Sequence, residues 1–361
     1  MDIIALKRSQ LEAVSGHRDS LRTSPHLRWL FFEITDRCNL ECRHCGSSCS
    51  ADGLVLTAED IEKTLDTIDT DKPVICLTGG EPMLHPDFFE IAGLISSKGF
   101  SWGMTTNATL IDDEAAAKLR ESGMATVSVS LDGMEETHDE LRRRKGAWKL
   151  AMRGIRALQD AGFEPQVTTV LHQENFDELG SIYDLLRETG IKSWRPINVE
   201  PIGRACESGD MMLTYRQLGD LLRYIREKRF DPGCEMEVTY GCSHYLGPEY
   251  ERMVRDHYFL CGAGILTASV RSNGDICACL DIENRPELVQ GNIRTDDFMD
   301  VWKNGFKAFR GDRTAACSSC MECSERYICG GDSAHTWDYE NSRPLLCYKD
   351  YGSFIDKAEE Y

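Results

Sequence analysis

The chain has 361 residues, among them 16 cysteines, and a formal net charge of −19. That length is enough to bury a full core, and the negative charge repels phosphate backbones, which disfavours nucleic-acid substrates. No apolar run reaches the length of a membrane span, and Met1 to Gln10 lacks the apolar core of a secretion signal, so a cytoplasmic location is expected. So many cysteines in that compartment point to metal or redox chemistry rather than to disulfides.

In chain order, residues 1–27 are polar and mixed, and read as a lead-in with one short helix around Leu6 to Val14. From Leu27 onward, apolar runs alternate with helical patterns. Leu27–Ile34 reads as a strand, and Thr57 caps a helix that places Ile61, Leu65 and Ile68 on one face. Val74–Leu77 is a strand that runs into Thr78-Gly79-Gly80-Glu81-Pro82. Further strands are expected at Phe100–Thr105, Ala125–Leu131, Pro165–Leu171 and Ile191–Val199, with helices at Phe88–Ser97, Asp112–Glu121, Trp148–Leu158 and Phe176–Leu186. Such alternation implies an α/β fold with a parallel sheet, here a partial (β/α)6 barrel similar to the TIM type. In such folds chemistry gathers at the C-terminal strand ends. Here those ends carry a cysteine loop, the GGEP turn, Thr106-Asn107, Ser130-Leu131-Asp132-Gly133 and Asn198-Val199-Glu200.

The cysteine loop follows the first strand and reads CNLECRHC, with Cys38, Cys42 and Cys45 at C-x3-C-x2-C spacing. Three close thiolates suit a 4Fe–4S cluster with one iron left open to a ligand. The alternative is a closed site: Cys49 follows at x3, and the four cysteines together match a complete cluster or a zinc ion. In the GGEP turn, glycines permit close backbone approach and Pro82 fixes the turn, while Glu81 can accept charge-assisted bonds from an ammonium.

After Ala205 the character changes. Residues 206–260 read as a linker that contains an amphipathic helix, Leu213–Phe230, and cysteine density then rises again from Cys261. Cys261 and Cys279 flank Gly274, and Cys320-x2-Cys323-x5-Cys329 is followed by Cys347. A zinc ribbon on the close pair is the bland alternative, but it leaves Cys261 and Cys279 unexplained.

Taken together, EITDRCNLECRHC, LTGGEPMLHPDF, GMTTNATL, VSVSLDGMEETHDELR and RPINVEPIGRA resemble a radical S-adenosylmethionine (radical SAM) enzyme over nearly all of residues 28–350. The cysteines from Cys261 onward resemble the cysteine-rich SPASM extension, which houses auxiliary iron–sulfur clusters. The resemblance implies a catalytic 4Fe–4S cluster on Cys38, Cys42 and Cys45, whose open iron chelates the methionine part of SAM. It gives Gly79, Gly80, Glu81 and Pro82 to the SAM amino group, and contacts to ribose or carboxylate to the region of Thr106, Asn107, Ser130 and Asp132. His44 stands where the family often has an aromatic near adenine. The reduced cluster cleaves SAM to a 5′-deoxyadenosyl radical that removes hydrogen from an unreactive carbon.

By the same resemblance, Cys320, Cys323, Cys329 and Cys347 complete one auxiliary cluster. Cys261 and Cys279 begin another, for which Ser333 stands where the family has a cysteine. Cys277, Cys317, Cys242, Asp332 and Ser333 are the candidates for its missing ligand, and His335 lies near both sites. The expected organisation is a lead-in at 1–27, the barrel at 28–205, the linker at 206–260, the SPASM domain at 261–350 and a tail at 351–361.

The implied function is modification of a ribosomal peptide or protein side chain by crosslinking, thioether formation, epimerisation or oxidation. Formylglycine formation is disfavoured, because Leu280 and not an aspartate follows Cys279. The implied partners are a peptide, favoured as basic by the acidic chain, and an external one-electron reductant of the flavodoxin or ferredoxin type. Residues 1–27 offer no room for a leader-binding domain, so a separate recognition protein is expected for substrates with a leader. A haem precursor or aminocyclitol is the small-molecule alternative. An iron–sulfur electron carrier or zinc protein is the non-catalytic one, and it has no use for a SAM pocket.

Overall fold

In the computed structural model, residues 3–47, 49, 53–206, 211–241, 244–350 and 352 are described. Helix α1, Ile3–Thr23, leads into β1, Trp29–Thr35. There follow α2 (Ala58–Asp66), β2 (Val74–Gly79), α3 (Phe88–Ser97), β3 (Trp102–Thr106), α4 (Asp113–Glu121) and β4 (Thr126–Ser130). The second half of the barrel is α5 (Glu135–Leu141), α6 (Ala147–Asp160), β5 (Gln166–Leu171), α7 (Leu179–Glu188) and β6 (Ser193–Asn198). Helix α8, Tyr215–Phe230, then leads to four short strands: β7 (Glu237–Val238), β8 (Thr267–Val270), β9 (Asp275–Cys277) and β10 (Gly291–Asn292).

These strands form one sheet in the order β10-β9-β8-β1-β2-β3-β4-β5-β6-β7. From β8 to β7 every pairing is parallel, and β8-β9-β10 closes the other edge as an antiparallel meander. The six expected strands are therefore present in order, and the sheet gains β7 beside β6 at one edge and β8, β9 and β10 beyond β1 at the other. Leu30, Phe32, Ile75, Leu77, Trp102, Val127, Val129, Val167 and Trp194 are all buried and share one face of the sheet, while the positions between them are mostly half-buried. Helix α2 starts where a capping box predicts, Thr57 accepting from the Asp60 N–H at 3.0 Å while Asp60 accepts from the Thr57 N–H at 3.1 Å. Near Thr35 the β1–β2 register shifts, and pairing ends just before the cysteine loop.

The lead-in departs from the sequence reading: it is a helix of 21 residues, Ile3–Thr23, and not a short one around Leu6 to Val14. Its buried face is Leu11, Ser15, Arg18 and Leu21. Two polar residues interrupt the apolar stripe, so hydrophobic periodicity underestimates its length. Leu11 packs against Tyr245, Phe259 and Ile328, and Arg18 donates to the Ile328 carbonyl at 3.0 Å. Arg8 bonds Glu325 at 2.6 Å, so the first helix is docked on the cysteine-rich C-terminal part.

Leu11→Ala is expected to lose about 2–5 kcal/mol in chemical denaturation, the usual range for emptying a buried leucine site. Leu6→Ala, on the exposed side of the same helix, should stay within about 0.5 kcal/mol of the parent.

Candidate active site

The cysteine loop lies across the strand ends and is held there by backbone bonds. The Glu81 N–H donates to the Arg37 carbonyl at 2.8 Å and the Gly80 N–H to the Thr35 carbonyl at 2.8 Å. A Cβ on Gly79 would come within 2.2 Å of the Thr35 oxygen, and one on Gly80 within 2.2 Å of the Arg37 oxygen. Both glycines are thus required by the approach of the loop itself.

Glu81 is buried, and its oxygens are taken up within the chain. They accept from the Thr106 hydroxyl at 2.7 Å, the Asn107 N–H at 2.8 Å and the Met83 N–H at 3.4 Å. Burial pushes its carboxyl up to about 7. The sequence reading gave this carboxylate to a ligand ammonium; in the structure it pins the end of β2 to the end of β3. Asn107 continues the network, donating to the Asn39 side chain at 2.9 Å, and Asn39 donates to Thr109 at 2.9 Å. Thr106 and Asn107 therefore hold the cysteine loop in place. Pro82 is buried in the first turn after the glycines, and Ser130 is half-buried at the end of β4.

Asp132 is fully buried and forms an ion pair with Arg142 from the end of α5. Its carboxylate also accepts from the Val170 N–H at 2.9 Å, an engagement that the sequence reading, with its ligand contacts for this region, did not foresee. Burial pushes the Asp132 carboxyl up, and Arg142, His44 and His138 more than offset it, leaving it below the ordinary value. Arg142 in turn donates to the Cys42 sulfur at 3.5 Å. His44 is nearly buried at the edge of the cleft, 3.8 Å from Asp132, and burial pushes it down to about 4. Arg204, past β6, donates to the Cys42 carbonyl at 2.8 Å, and its own N–H bonds the Cys45 carbonyl at 3.0 Å.

The structure brings Cys49 beside Cys38 and Cys45. Its thiol lies within hydrogen-bond reach of both, which draws Cys38 down and Cys45 down to about 6. In the C-terminal part, Cys320, Cys323, Cys329 and Cys347 line one cavity of about 580 Å³, a donor set and a space that suit a cubane cluster.

The other cysteines are less complete. Cys261 accepts from the Ala334 N–H at 3.4 Å beside the buried Ser333, and Cys279 is close enough to feel the charges of Cys261 and Cys277. Cys277 is buried in β9 and pushed up to about 12 by burial. Cys317 approaches Cys320, its sulfur accepting from the Cys320 N–H at 3.4 Å, but it does not line the four-cysteine cavity. Both Asp332 oxygens are engaged, by His244 and by the Tyr245 N–H, each at 2.8 Å. Cys242 lies outside the described residues.

Comparison with known proteins accords with this geometry. Residues 32–186 match the Radical SAM superfamily and residues 261–324 match SPASM, an iron–sulfur cluster-binding domain. An AdoMet-dependent heme synthase of Methanosarcina barkeri (strain Fusaro) is 30% identical over 351 residues, covering 89% of this chain and 97% of its own length. The chain belongs to the radical SAM superfamily.

Mycofactocin maturase MftC of Mycolicibacterium smegmatis is 28% identical, over 81% of this chain and 74% of its own length. The fold is shared with anSMEcpe, solved with AdoMet and the Cp18Cys peptide, at a TM-score of 0.71 and 20% identity over 92% of this chain and 96% of that one. Among the described residues of this radical SAM protein, no helix is long and apolar enough to cross a membrane.

The radical SAM barrel and the C-terminal part also share a buried charge cluster that sequence reasoning missed. Glu200, just past β6, bonds His335 at 2.6 Å and His244 at 2.8 Å, and His244 bonds Asp332 at 2.8 Å. Burial pushes both imidazoles down, but the facing carboxylates outweigh it and hold His335 up to about 9 and His244 up to about 10. No local pattern links Glu200 to residues this far along the chain; only His335 and the strand-end position of Glu200 gave a signal.

Two expectations follow for this radical SAM enzyme. Anaerobically reconstituted Cys49→Ala should still cleave SAM to 5′-deoxyadenosine with dithionite at near the parent rate; loss of iron and of cleavage together would instead mark a closed four-cysteine site. The histidines are held above their ordinary 6.5, so their contribution is full below that pH and is lost as pH rises through about 9 and 10. The melting temperature should therefore fall over that window, and fall less steeply in His335→Gln.

Proposed function

We propose that this enzyme removes a hydrogen atom from a side chain of a basic peptide bound in the cleft between the catalytic cysteine loop and the C-terminal cysteines. Cys38, Cys42 and Cys45 would hold the catalytic cluster, and Cys320, Cys323, Cys329 and Cys347 one auxiliary cluster. Cys261 and Cys279 would begin a second auxiliary site, with Asp281, whose Oδ2 lies 3.8 Å from the Cys279 sulfur, and Cys277 close by. Residues 28–205 would form the catalytic barrel and 261–350 the auxiliary domain. When bound, the catalytic cluster and SAM supply a one-electron cleavage that yields a hydrogen-abstracting 5′-deoxyadenosyl radical.

The chain's own residues do the rest. The backbone of residues 79–82 and the bonds from Arg37 and Asn39 hold the cysteine loop over the strand ends. The positions of Gly79, Gly80, Thr106, Asn107, Ser130 and Asp132 would frame the SAM pocket, chiefly through backbone and packing. Glu200 and His335 present a carboxylate and an imidazole to the substrate side and orient its polar groups.

The observation that carries the peptide reading is the shape and charge of the cleft. A recess of about 260 Å³ lined by His44, Asn198, Glu200 and His335 runs into one of about 450 Å³ lined by Glu283, Trp337, Asp338 and Tyr339. The two share Gly46, Ile202, Asp281 and His335, and together make a solvent-open trough in which Glu200, Asp281, Glu283 and Asp338 stand among Arg271 and Arg285, with aromatic side chains at one end. Such an elongated trough suits an extended chain more than an enclosed small molecule, and the protein's net charge of −19 favours a basic one. The relationship to mycofactocin maturase supports it. A second reading, a haem precursor, is favoured by the relative named as a heme synthase, which this chain matches over 97% of that relative's length.

Anaerobic SAM cleavage measured with a basic peptide panel and with an iron porphyrin separates the two readings. A peptide that stimulates 5′-deoxyadenosine formation, with binding that weakens as salt rises, is the expected result. Stimulation by the porphyrin alone would overturn the peptide assignment in favour of the second reading.

A further inference from the structure

The Arg142 side chain donates a hydrogen bond to the sulfur of a loop cysteine, 3.5 Å from Cys42. It is buried, at 7% exposure, and its other terminal nitrogen is committed to Asp132. Asp132 is itself immobilised: it accepts from the Val170 N–H at 2.9 Å, its own N–H donates to His138 at 3.0 Å, and its carbonyl accepts from Asn175 at 2.7 Å. The guanidinium plane therefore has little freedom to turn, and one N–H is left facing the sulfur.

The neighbouring backbone is fixed as well. The Arg43 N–H donates to the Leu141 carbonyl at 2.9 Å and the Glu41 N–H to the Arg142 carbonyl at 3.4 Å, so the cysteine loop and the end of α5 move as a unit. Arg204 and Arg144 donate to loop carbonyls at Cys42 and Asn39. A chain of net charge −19 has thus gathered three arginines around this one loop.

We propose that Arg142 is a positioning residue that raises the reduction potential of the cluster held through Cys42, by donating a hydrogen bond to that sulfur from a guanidinium locked by Asp132. The inference rests on the assignment of Cys42 as a ligand made above. Reduction adds negative charge to a cluster and its thiolates, and a donor or cation at the sulfur stabilises the more electron-rich state. Asp132 also acts on the Cys42 sulfur and opposes the guanidinium, but it takes the other terminal nitrogen of Arg142 and leaves the donor to the sulfur. Burial strengthens the effect, because solvent does not screen the pair.

The test is anaerobic potentiometry of the reconstituted full chain, read from the EPR signal that changes when SAM is added. Removing both buried charges in Arg142→Met/Asp132→Asn avoids an unpaired acid. Its midpoint should move to more negative potential, with about a tenfold lower ratio of reduced to oxidised cluster at fixed potential, or about 59 mV for one electron. An unchanged or more positive midpoint with iron content retained overturns the proposal.

Asp132→Asn alone keeps the guanidinium charge and the donor, so its midpoint should not fall; a fall equal to that of the double variant would mean loosened packing and would also overturn it. If the double variant does not fold, this single variant and Arg142→Gln, expected to shift in the negative direction, decide the question. Cys42→Ala separates the underlying reading: retention of the SAM-responsive signal there means that Cys42 is not a ligand, whatever Arg142 does.

Discussion

The site depends first on a steric constraint: two stretches of backbone, residues 35–38 and 79–81, pass so close that no side chain fits between them. The carbonyls of Thr35 and Arg37 accept the N–H groups of Gly80 and Glu81, and the same approach puts a virtual Cβ on either glycine at 2.2 Å from an oxygen. Glycine at both positions removes the clash, and the buried Glu81 carboxylate then bridges to β3 through Thr106 and Asn107. The loop that carries Cys38, Cys42 and Cys45 is positioned by these contacts before any ligand arrives, which is the preorganisation that a site for reactive chemistry needs.

Charges buried at the strand ends form the next layer. An isolated ion in this interior is strongly disfavoured, and pairing with further hydrogen bonds is what makes one tolerable. Asp132 with Arg142, and Glu200 with His335, His244 and Asp332, meet that requirement by partners drawn from different elements. Each group also faces something functional: Arg142 faces the Cys42 sulfur, and Glu200 and His335 face the cleft. The buried ion pairs therefore orient these groups, and those of His244 and His335 add the pH-dependent stability described above.

The C-terminal part is joined to the barrel by structure as well as by chain. β8 pairs with β1, the strand that delivers the cysteine loop, and α1 packs against residues around Ile328 near the four-cysteine cavity. Glu200 meets His335 across the same junction. Ser272, just past β8, donates to the buried Glu33 of β1 at 3.1 Å through its N–H, a further link at the strand's end. The trough that runs from Glu200 to Tyr339 is walled by both parts, so its shape depends on how they dock.

The sequence by itself determined the repeating strands and helices, the capped start of α2, the cysteine spacings and the turn that begins at Thr78. These features depend on period, on local capping or on residues adjacent in the chain, so short-range physics specifies them. Only the tertiary structure decided that α1 is long, because Ser15 and Arg18 find backbone partners more than 300 residues away. It also decided that Glu81 and Asp132 are bound by their own chain, that Cys49 and Cys317 join neighbouring cysteines, and that Arg142 reaches Cys42. Each of these depends on pairing between distant elements, and a buried charge leaves no trace in a sequence until its partner is in place.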